Sequence, residues 1–364
     1  MSKISFVTVI VCTYNGEKYI KDCLDALIQQ DYTKDKYETI VVDDGSTDNT
    51  SQIVSKYPVK LIKNIKNLGT YKSRNIGLRN AKGEIVVYTD DDCIQDKSWI
   101  KNLVTPYDNK DVVAVGGMTE SFSYNTIAEK YMAETGYGNP APLEFGKSKN
   151  PLYRFLVYIK DMFFPVVTID NPLVEVYAIY TLNASFRKNI LENLGGWDED
   201  LKFGGDTEIC MRIHEKLMGK KIFFTNKAKI IHRHRISLLK FLKDIFFRSG
   251  DRIKYYLKYK KFPPIFPFPI FIILVILISG AITLFYGHFS LPFDFFYGFL
   301  SFLFLPQIMY IWWPIKFFRK LKPYYLLFPY IQFSLELAAI LGMLRGYIKL
   351  KLRYKKDKND TIQE

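Results

Sequence analysis

Cysteine, histidine and acidic side chains are all scarce in this chain of 364 residues. The four cysteines, Cys12, Cys23, Cys93 and Cys210, are widely scattered and form no CxxC pair. Buried reduced thiols in a reducing compartment are therefore expected. No zinc-finger ligand set and no RRM signature is present. The excess of 51 Lys and Arg over 37 Asp and Glu, a formal net charge of +14, is thus not assigned to nucleic acid. A membrane surface or an anionic substrate remains as its explanation. No G-x-G-x-x-G follows the first apolar run, so the fingerprint of a dinucleotide-dependent oxidoreductase is missing. The opening stretch "ISFVTVIVCTYN" continues straight into fold-like sequence and is expected to be a strand rather than a signal peptide.

What is present divides near residue 235. Before it the composition is mixed, and strand and helix patterns alternate. "FVTVIVCT" is a β-branched run suited to a strand covered on both faces. Tyr19, Ile20, Cys23, Leu24, Leu27 and Ile28 follow at helical spacing. "YETIVVDD", "VKLIK", "GEIVVYTDDD" and "DVVAVGG" read as further strands, with helices such as "TYKSRNIGLRNA" between them. This alternation predicts an α/β fold with an open, mostly parallel sheet. Ligands of such sheets bind beyond the carboxyl ends of the strands. "CTYNGE", "DDGST" and "TDDDC" all fall at such ends, so three polar clusters should face one crevice. Residues 121–180 have weak periodicity and read as an insertion over that crevice.

After residue 235 the chain turns apolar and basic. Residues 236–263 are amphipathic and read as one or two interfacial helices, with Leu238, Leu239, Leu242, Ile245, Phe246 and Ile253 on one side. Residues 265–286 carry no charge and are long enough to span a bilayer, 295–313 is a second candidate, and 324–344 is interrupted by Pro329, Gln332 and Glu336. Lys and Arg precede the first span and return at 316–322, while the loop 287–294 has neither, which favours a cytoplasmic catalytic domain and a two-span hairpin. Segment 324–344 is then re-entrant or interfacial and the basic tail 346–364 cytoplasmic. Three spans are the alternative. The expected location is the cell membrane.

The three adjacent carboxylates Asp90, Asp91 and Asp92 need an explanation. A solvated loop and a Ca²⁺ loop are two readings, but "DDDCIQDKSWIK" lacks the glycine and closing glutamate of an EF-hand. The third is a divalent-metal site that holds a phosphorylated ligand, where the cation neutralises both partners. A separate carboxylate would then serve as base for an incoming hydroxyl. Asp206, at a glycine-flanked helix start, is the candidate, although a plain helix cap fits that position equally.

Taken in order, "VIVCTYNGE", "IVVDDGSTDNT", "NLGTYKSRNIGL", "YTDDDC" and "LNASFRKNILENLGGWDEDLKFGGDTEICMRI" resemble the motifs of family-2 glycosyltransferases. The resemblance covers about residues 5–240 and implies a GT-A fold in residues 1–235, a nucleotide-sugar donor and a cofactor of Mg²⁺ or Mn²⁺. It places Thr13, Tyr14, Asn15 and Glu17 around the nucleotide. Asp44 would meet the base with Asp43 behind it, and Arg74 would approach the diphosphate. Asp92 is the implied metal ligand, with Asp90 as its Asp-x-Asp partner, and Asp90 or Asp91 would touch ribose or sugar. His232 or His234 would complete the metal shell. Asp206 would be the base of an inverting displacement, and Asn183 and Trp197 would line the acceptor side. One departure stands out: Gly205 occupies a place where many members carry a glutamate.

With the membrane segments, the resemblance implies a lipid-linked acceptor, either polyprenyl phosphate or a polyprenyl-linked oligosaccharide, in surface glycan or glycoprotein assembly. A polysaccharide or glycolipid synthase is the alternative, although no Gln-x-x-Arg-Trp element is found. A non-catalytic membrane adaptor of the same fold is the rival from another class. Homo-oligomer formation is left open.

Overall fold

The computed structural model describes residues 5–135, 140–148, 172–233, 237–259 and 304–360, with scattered positions from 150 to 160; side chains at 256 and 353–360 are excluded. The expected span 265–286, the first part of 295–313 and His234 lie outside the described residues.

Strand β1 (Val7–Thr13) is almost wholly buried. Its pleat sends Val7, Val9 and Val11 to one side of the sheet and Ile10 to the other. Helix α1 (Ile20–Ile28) covers the first side through Ile20, Cys23, Leu24 and Leu27, the predicted helical face. Strands β2 (Tyr37–Asp43), β3 (Lys60–Lys63) and β4 (Ile85–Asp90) run parallel to β1, in the order β3-β2-β1-β4. Helices α2 (Thr50–Val54) and α3 (Thr70–Asn80) make the crossovers. The order reverses at β1, which opens a crevice at the carboxyl ends of β1 and β4. Register confirms the convergence: Thr13 lies opposite Asp43, and Cys12 opposite Asp90.

The other half makes the sheet mixed. Strands β5 (Cys93–Gln95), β6 (Val112–Ser121), β8 (Leu173–Ala178), β9 (Asn183–Arg187) and β10 (Lys221–His232) extend it. β9 sits between β4 and β6 and is antiparallel to both, while β6 and β10 are parallel. Helix α4 (Trp99–Val104) lies on the α1 side. Helices α6 (Lys188–Asn193) and α7 (Gly205–Lys216) contribute Leu191, Ile209 and Ile213 to the opposite core. Part of the insertion 121–180 is regular: α5 (Ile127–Glu134), a short β7 (Ala141–Pro142), and β8, which adds to the sheet beside β10.

The basic amphipathic segment is one helix, α8 (Leu238–Tyr259). Its end is fastened to the segment around α7. Tyr259 Oη donates to Asp198 Oδ2 (2.6 Å) and Glu208 Oε1 (2.8 Å), and Lys258 bridges Asp198 and Asp200. Helix α9 (Trp312–Lys320) and helix α10 (Phe328–Asp360) complete the described chain. α10 differs from expectation. It begins one residue before Pro329, where the ring is tolerated because first-turn N–H groups have no helical partner. It then runs unbroken past residue 345 into the basic tail. Gln332 and Glu336 do not interrupt it because other side chains satisfy them. Trp313 Nε1 donates to Gln332 Oε1 (2.8 Å), and Tyr310 Oη to Glu336 Oε2 (2.7 Å). Tyr310, Trp312 and Trp313, at the end of the expected second span, are buried with Tyr131 of α5, Phe241 of α8, and Tyr325 and Phe328. Among the described residues one helix, Phe328–Leu352, is long and apolar enough to cross a membrane, with a mean hydropathy of 1.3.

α8 and α10 approach at glycines. A Cβ on Gly346 would stand 2.6 Å from Gly250 Cα, and one on Gly342 would strike the Phe246 carbonyl. Glycine inside a helix costs about 1 kcal/mol against alanine, so Gly346→Ala would stabilise an isolated helix. Here overpacking of about 1–3 kcal/mol opposes that gain. Thermal unfolding should therefore give a lower midpoint for Gly346→Ala than for the parent. A raised midpoint would mean that the two helices do not touch there.

Candidate active site

The strand ends, the start of α7 and one wall of α8 enclose a cavity of about 580 Å³. Of the residues expected from sequence, Thr13, Tyr14, Asp44, Arg74, Asp90, Asp91, Asp92 and Asp206 line it. Asn15, Glu17 and Asp43 instead build the loops beneath. Asn15, in left-handed backbone (φ 53), accepts from Thr47 N at 2.9 Å, and its own N–H donates to Ser46 Oγ at 2.9 Å. Glu17 accepts from the backbone and side chain of Asn49 (3.1 and 2.9 Å). Asp43 is fully buried and caps its own turn by accepting from Ser46 N (2.8 Å). Asp44 reaches the cavity with oxygens already engaged by Leu68 N (2.8 Å), Gly69 N (2.9 Å) and Asn64 Nδ2 (2.9 Å). A carboxylate has about four lone-pair sites, so a ligand donor can still be accepted.

The acidic knot is organised by three different partners. Thr13 Oγ1 donates to Asp91, but burial dominates and pushes that carboxyl up to about 7. Burial also raises Asp90, against the pull of Arg74, whose Nη2 lies 3.5 Å away. For Asp92 burial is outweighed by His232, whose Nε2 lies 3.4 Å from Oδ1, and the carboxyl falls below its ordinary value. Strand pairing explains that contact, since His232 ends β10 directly opposite Cys93 of β5.

These residues suit a divalent cation. Asp92, Cys93 and His232 offer ligand atoms all within 4.8 Å of one another. Burial holds the Cys93 thiol well above its usual pKa, so it stays protonated, with Sγ 3.7 Å from Asp92 Oδ1. The usable pair is one carboxylate and one imidazole, a set that accepts Mn²⁺ or Mg²⁺ and leaves positions for phosphate oxygens. Asp90 is not in that group, because its carboxylate turns toward Arg74.

Arg74 joins the knot to the candidate base. Its Nη1 lies 3.2 Å from Asp206 Oδ1. Its guanidinium sits 5.5 Å from the Tyr71 ring and 5.4 Å from Trp197, which fixes it against two aromatic faces. Asp206 occupies the first turn of α7, after Gly204 in left-handed backbone (φ 85), and Oδ1 also accepts from Thr181 Oγ1 at 2.5 Å. Both bonds fall on Oδ1, and among the described residues Oδ2 has no protein partner.

Two expected acceptor residues lie behind the lining. Asn183 is buried and holds strands together: Oδ1 accepts from Trp99 Nε1 (2.7 Å), and Nδ2 donates to the Met118 and Ala228 carbonyls. Trp197 is buried against Tyr71, with Nε1 donating to Tyr88 Oη at 3.1 Å. Both are committed to packing, so neither is placed to touch an acceptor. The cavity lining also includes Lys202, Phe203, Phe241, Ile245, Arg248, Arg252 and Tyr255, none of them singled out from sequence as site residues. The i, i+4 spacing of Arg248 and Arg252 was the available sequence signal for that part of the lining.

The glycine at 205 has a steric reason. A Cβ there would lie 2.5 Å from Cε1 and Cζ of Tyr71, whose hydroxyl accepts from Gly205 N at 2.7 Å. Tyr71 cannot retreat, because Trp197 backs it. Gly205→Ala should therefore lower the unfolding midpoint, by about 1–3 kcal/mol of overpacking. The same change in a Tyr71→Ala background should cost much less. Equal costs in both backgrounds would place the strain elsewhere.

Residues 8–164 match the family model described as "Glycosyl transferase family 2". An uncharacterized glycosyltransferase of Haemophilus influenzae is 39% identical over 243 residues, 64% of this chain and 70% of that protein. Glycosyltransferase AglE of Haloferax volcanii is 35% identical over 219 residues, and the match spans 58% of this chain and 62% of AglE, under two thirds of its length. At 26% identity over 298 residues, dolichyl N-acetyl-alpha-D-glucosaminyl phosphate 3-beta-D-2,3-diacetamido-2,3-dideoxy-beta-D-glucuronosyltransferase of Methanococcus voltae covers 78% of this chain, with 84% of its own length matched. Among solved structures, mannosyltransferase PcManGT from Pyrobaculum calidifontis, in complex with GDP-Man and Mn²⁺, superposes with a TM-score of 0.56. It is 24% identical, and the alignment covers 94% of this chain and 88% of that one, which shows a common GT-A fold. With the ordered motifs, the mixed sheet and the crevice at its switch point in agreement, the chain belongs to glycosyltransferase family 2.

Proposed function

We propose that this chain transfers a sugar from a nucleotide-diphosphate donor to the hydroxyl of a lipid-linked acceptor, with inversion at the anomeric carbon, at a membrane surface. The observation that carries the reading is the Arg74 bridge. One guanidinium pairs with Asp90 at 3.5 Å and Asp206 at 3.2 Å, so the acidic strand end and the base share one crevice. Thr13, Tyr14 and Asp44 form the wall where the nucleoside would lie. A divalent cation held by Asp92 and His232 would neutralise the diphosphate of the donor. Asp206 receives the proton of the acceptor hydroxyl on Oδ2 while Thr181 and Arg74 hold Oδ1, so the carboxylate does not rotate. The hydroxyl oxygen then bonds to the anomeric carbon as the bond from that carbon to the diphosphate breaks.

A lipid-linked acceptor is supported by the placement of apolar surface. Leu239, Phe247 and Leu257 of α8, and Leu337, Leu341, Leu344, Ile348 and Leu352 of α10, are exposed. Exposed apolar residues on two adjoining helices suit a membrane. The named acceptor chemistry of the Methanococcus voltae relative, a dolichyl-linked sugar phosphate, is of the same class.

Two outcomes check this reading. Thermal midpoints of detergent-purified protein should rise with one class of nucleotide (UDP, GDP or dTDP) in the presence of Mn²⁺ and not with EDTA. Asp92→Ala should abolish that metal-dependent rise, and no rise for the parent with any of the three would sink the donor assignment. Asp206→Asn should keep the rise yet lower turnover by about 100-fold or more, as loss of a positioned base does. Turnover equal to the parent would remove Asp206 from the mechanism.

A further inference from the structure

The crevice is lined by charge of both signs. Asp90, Asp91, Asp92 and Asp206 line it, and so do Lys202, Arg248 and Arg252. The two arginines lie one turn apart on α8, and each guanidinium carbon stands 5.8 Å from the ring centroid of Phe203. One aromatic ring contacts both forks and orients them, and planar guanidinium forks match phosphate oxygens in pairs. Burial in the crevice wall pushes Arg252 down to about 9, with Tyr180 opposing it. At about 9 the guanidinium still carries its charge at neutral pH and can pair with an anion.

α8 also has an outer face. Leu239, Phe247 and Leu257 are exposed there, and Gly250 and Phe246 are pressed against the glycines of α10. The same helix therefore presents apolar side chains outward and arginines into the crevice. A helix lying at the level of lipid headgroups places such arginines where a lipid phosphate sits.

We propose that Arg248 and Arg252, with Lys202 beside them, form a subsite for the phosphate that joins the acceptor's glycan to its lipid. The inference rests on the transferase reading above and adds the acceptor's anionic group to it. Phe203, in contact with both guanidiniums, lies close in sequence to Asp206, so the phosphate binds near the base. The donor diphosphate is not the proposed occupant, because its charge would be met by the cation that Asp92 and His232 would hold.

The test uses full-length protein in detergent, with farnesyl phosphate and farnesol as probes and the thermal midpoint as readout. Farnesyl phosphate should raise the midpoint of the parent by several degrees, and farnesol should not. The double variant Arg248→Gln, Arg252→Gln should lose the rise while keeping the nucleotide-dependent rise with Mn²⁺. The double variant Arg248→Lys, Arg252→Lys should keep part of it, because charge remains but the fork is gone. Lys240→Gln with Lys243→Gln removes two charges from exposed positions of the same helix and should leave the rise intact. Inorganic phosphate should compete with farnesyl phosphate on the parent, as expected for recognition of the phosphate itself.

A glutamine variant that retains the farnesyl phosphate rise overturns the proposal. So does one that loses the nucleotide rise as well, since the arginines would then serve the donor. Failure of every nucleotide to stabilise the parent would instead defeat the transferase reading. Nucleotide binding without farnesyl phosphate binding would defeat this inference alone.

Discussion

Everything around the crevice depends on one buried cation. Arg74 comes from α3, Asp90 from the end of β4 and Asp206 from the start of α7, and the three meet through a single guanidinium. A buried arginine is costly unless charge and hydrogen bonds compensate it. Here Asp206 and Asp90 more than offset the burial and keep it charged. Removing either carboxylate leaves the cation with a single anionic partner, so the pair constrains the fold and the site together. The aromatic support has the same logic. Tyr71 and Trp197 stack at 6.1 Å, and Tyr88 and Phe186 meet the indole edge-on. That cluster fixes where Arg74 can lie, and it excludes a side chain at position 205.

The contact between Asp92 and His232 depends on strand pairing rather than on sequence proximity. Asp92 and His232 are far apart in the chain, yet β5 pairs antiparallel with β10 and brings them together. The surrounding acids are not equivalent. Asp91 is pushed up by burial, Asp92 is held down by His232, and Asp90 is occupied by Arg74. Three adjacent carboxylates thus take three environments, which is how a run of like charge persists at one strand end.

The C-terminal helices are part of the same construction. α8 forms one wall of the crevice, is fastened by Tyr259 to Asp198 and Glu208, and packs its glycine against α10. α10 keeps Gln332 and Glu336 because Trp313 and Tyr310 satisfy them. A helix bearing exposed apolar residues is thereby coupled, through backbone contact, to the helix that lines the crevice.

The sequence by itself determined the parallel half of the sheet, the crevice at its switch point, and the order of the acidic and basic motifs. β-branched runs and helical spacing are local properties, and the ends of parallel strands must share an edge. The family resemblance pointed to Asp92, Asp206 and Arg74, and all three line the crevice. Tertiary structure decided the rest. Only packing shows that Asn183 and Trp197 are spent on internal hydrogen bonds, that Asn15 and Glu17 brace loops, and that Asp90 faces Arg74 rather than His232. Thr181, Tyr71, Arg248 and Arg252 come into the site from segments whose periodicity says only that they are buried or amphipathic. A side chain's partners across the fold have no local signature, so which polar residues face a ligand and which hold the scaffold is settled by register and helix placement.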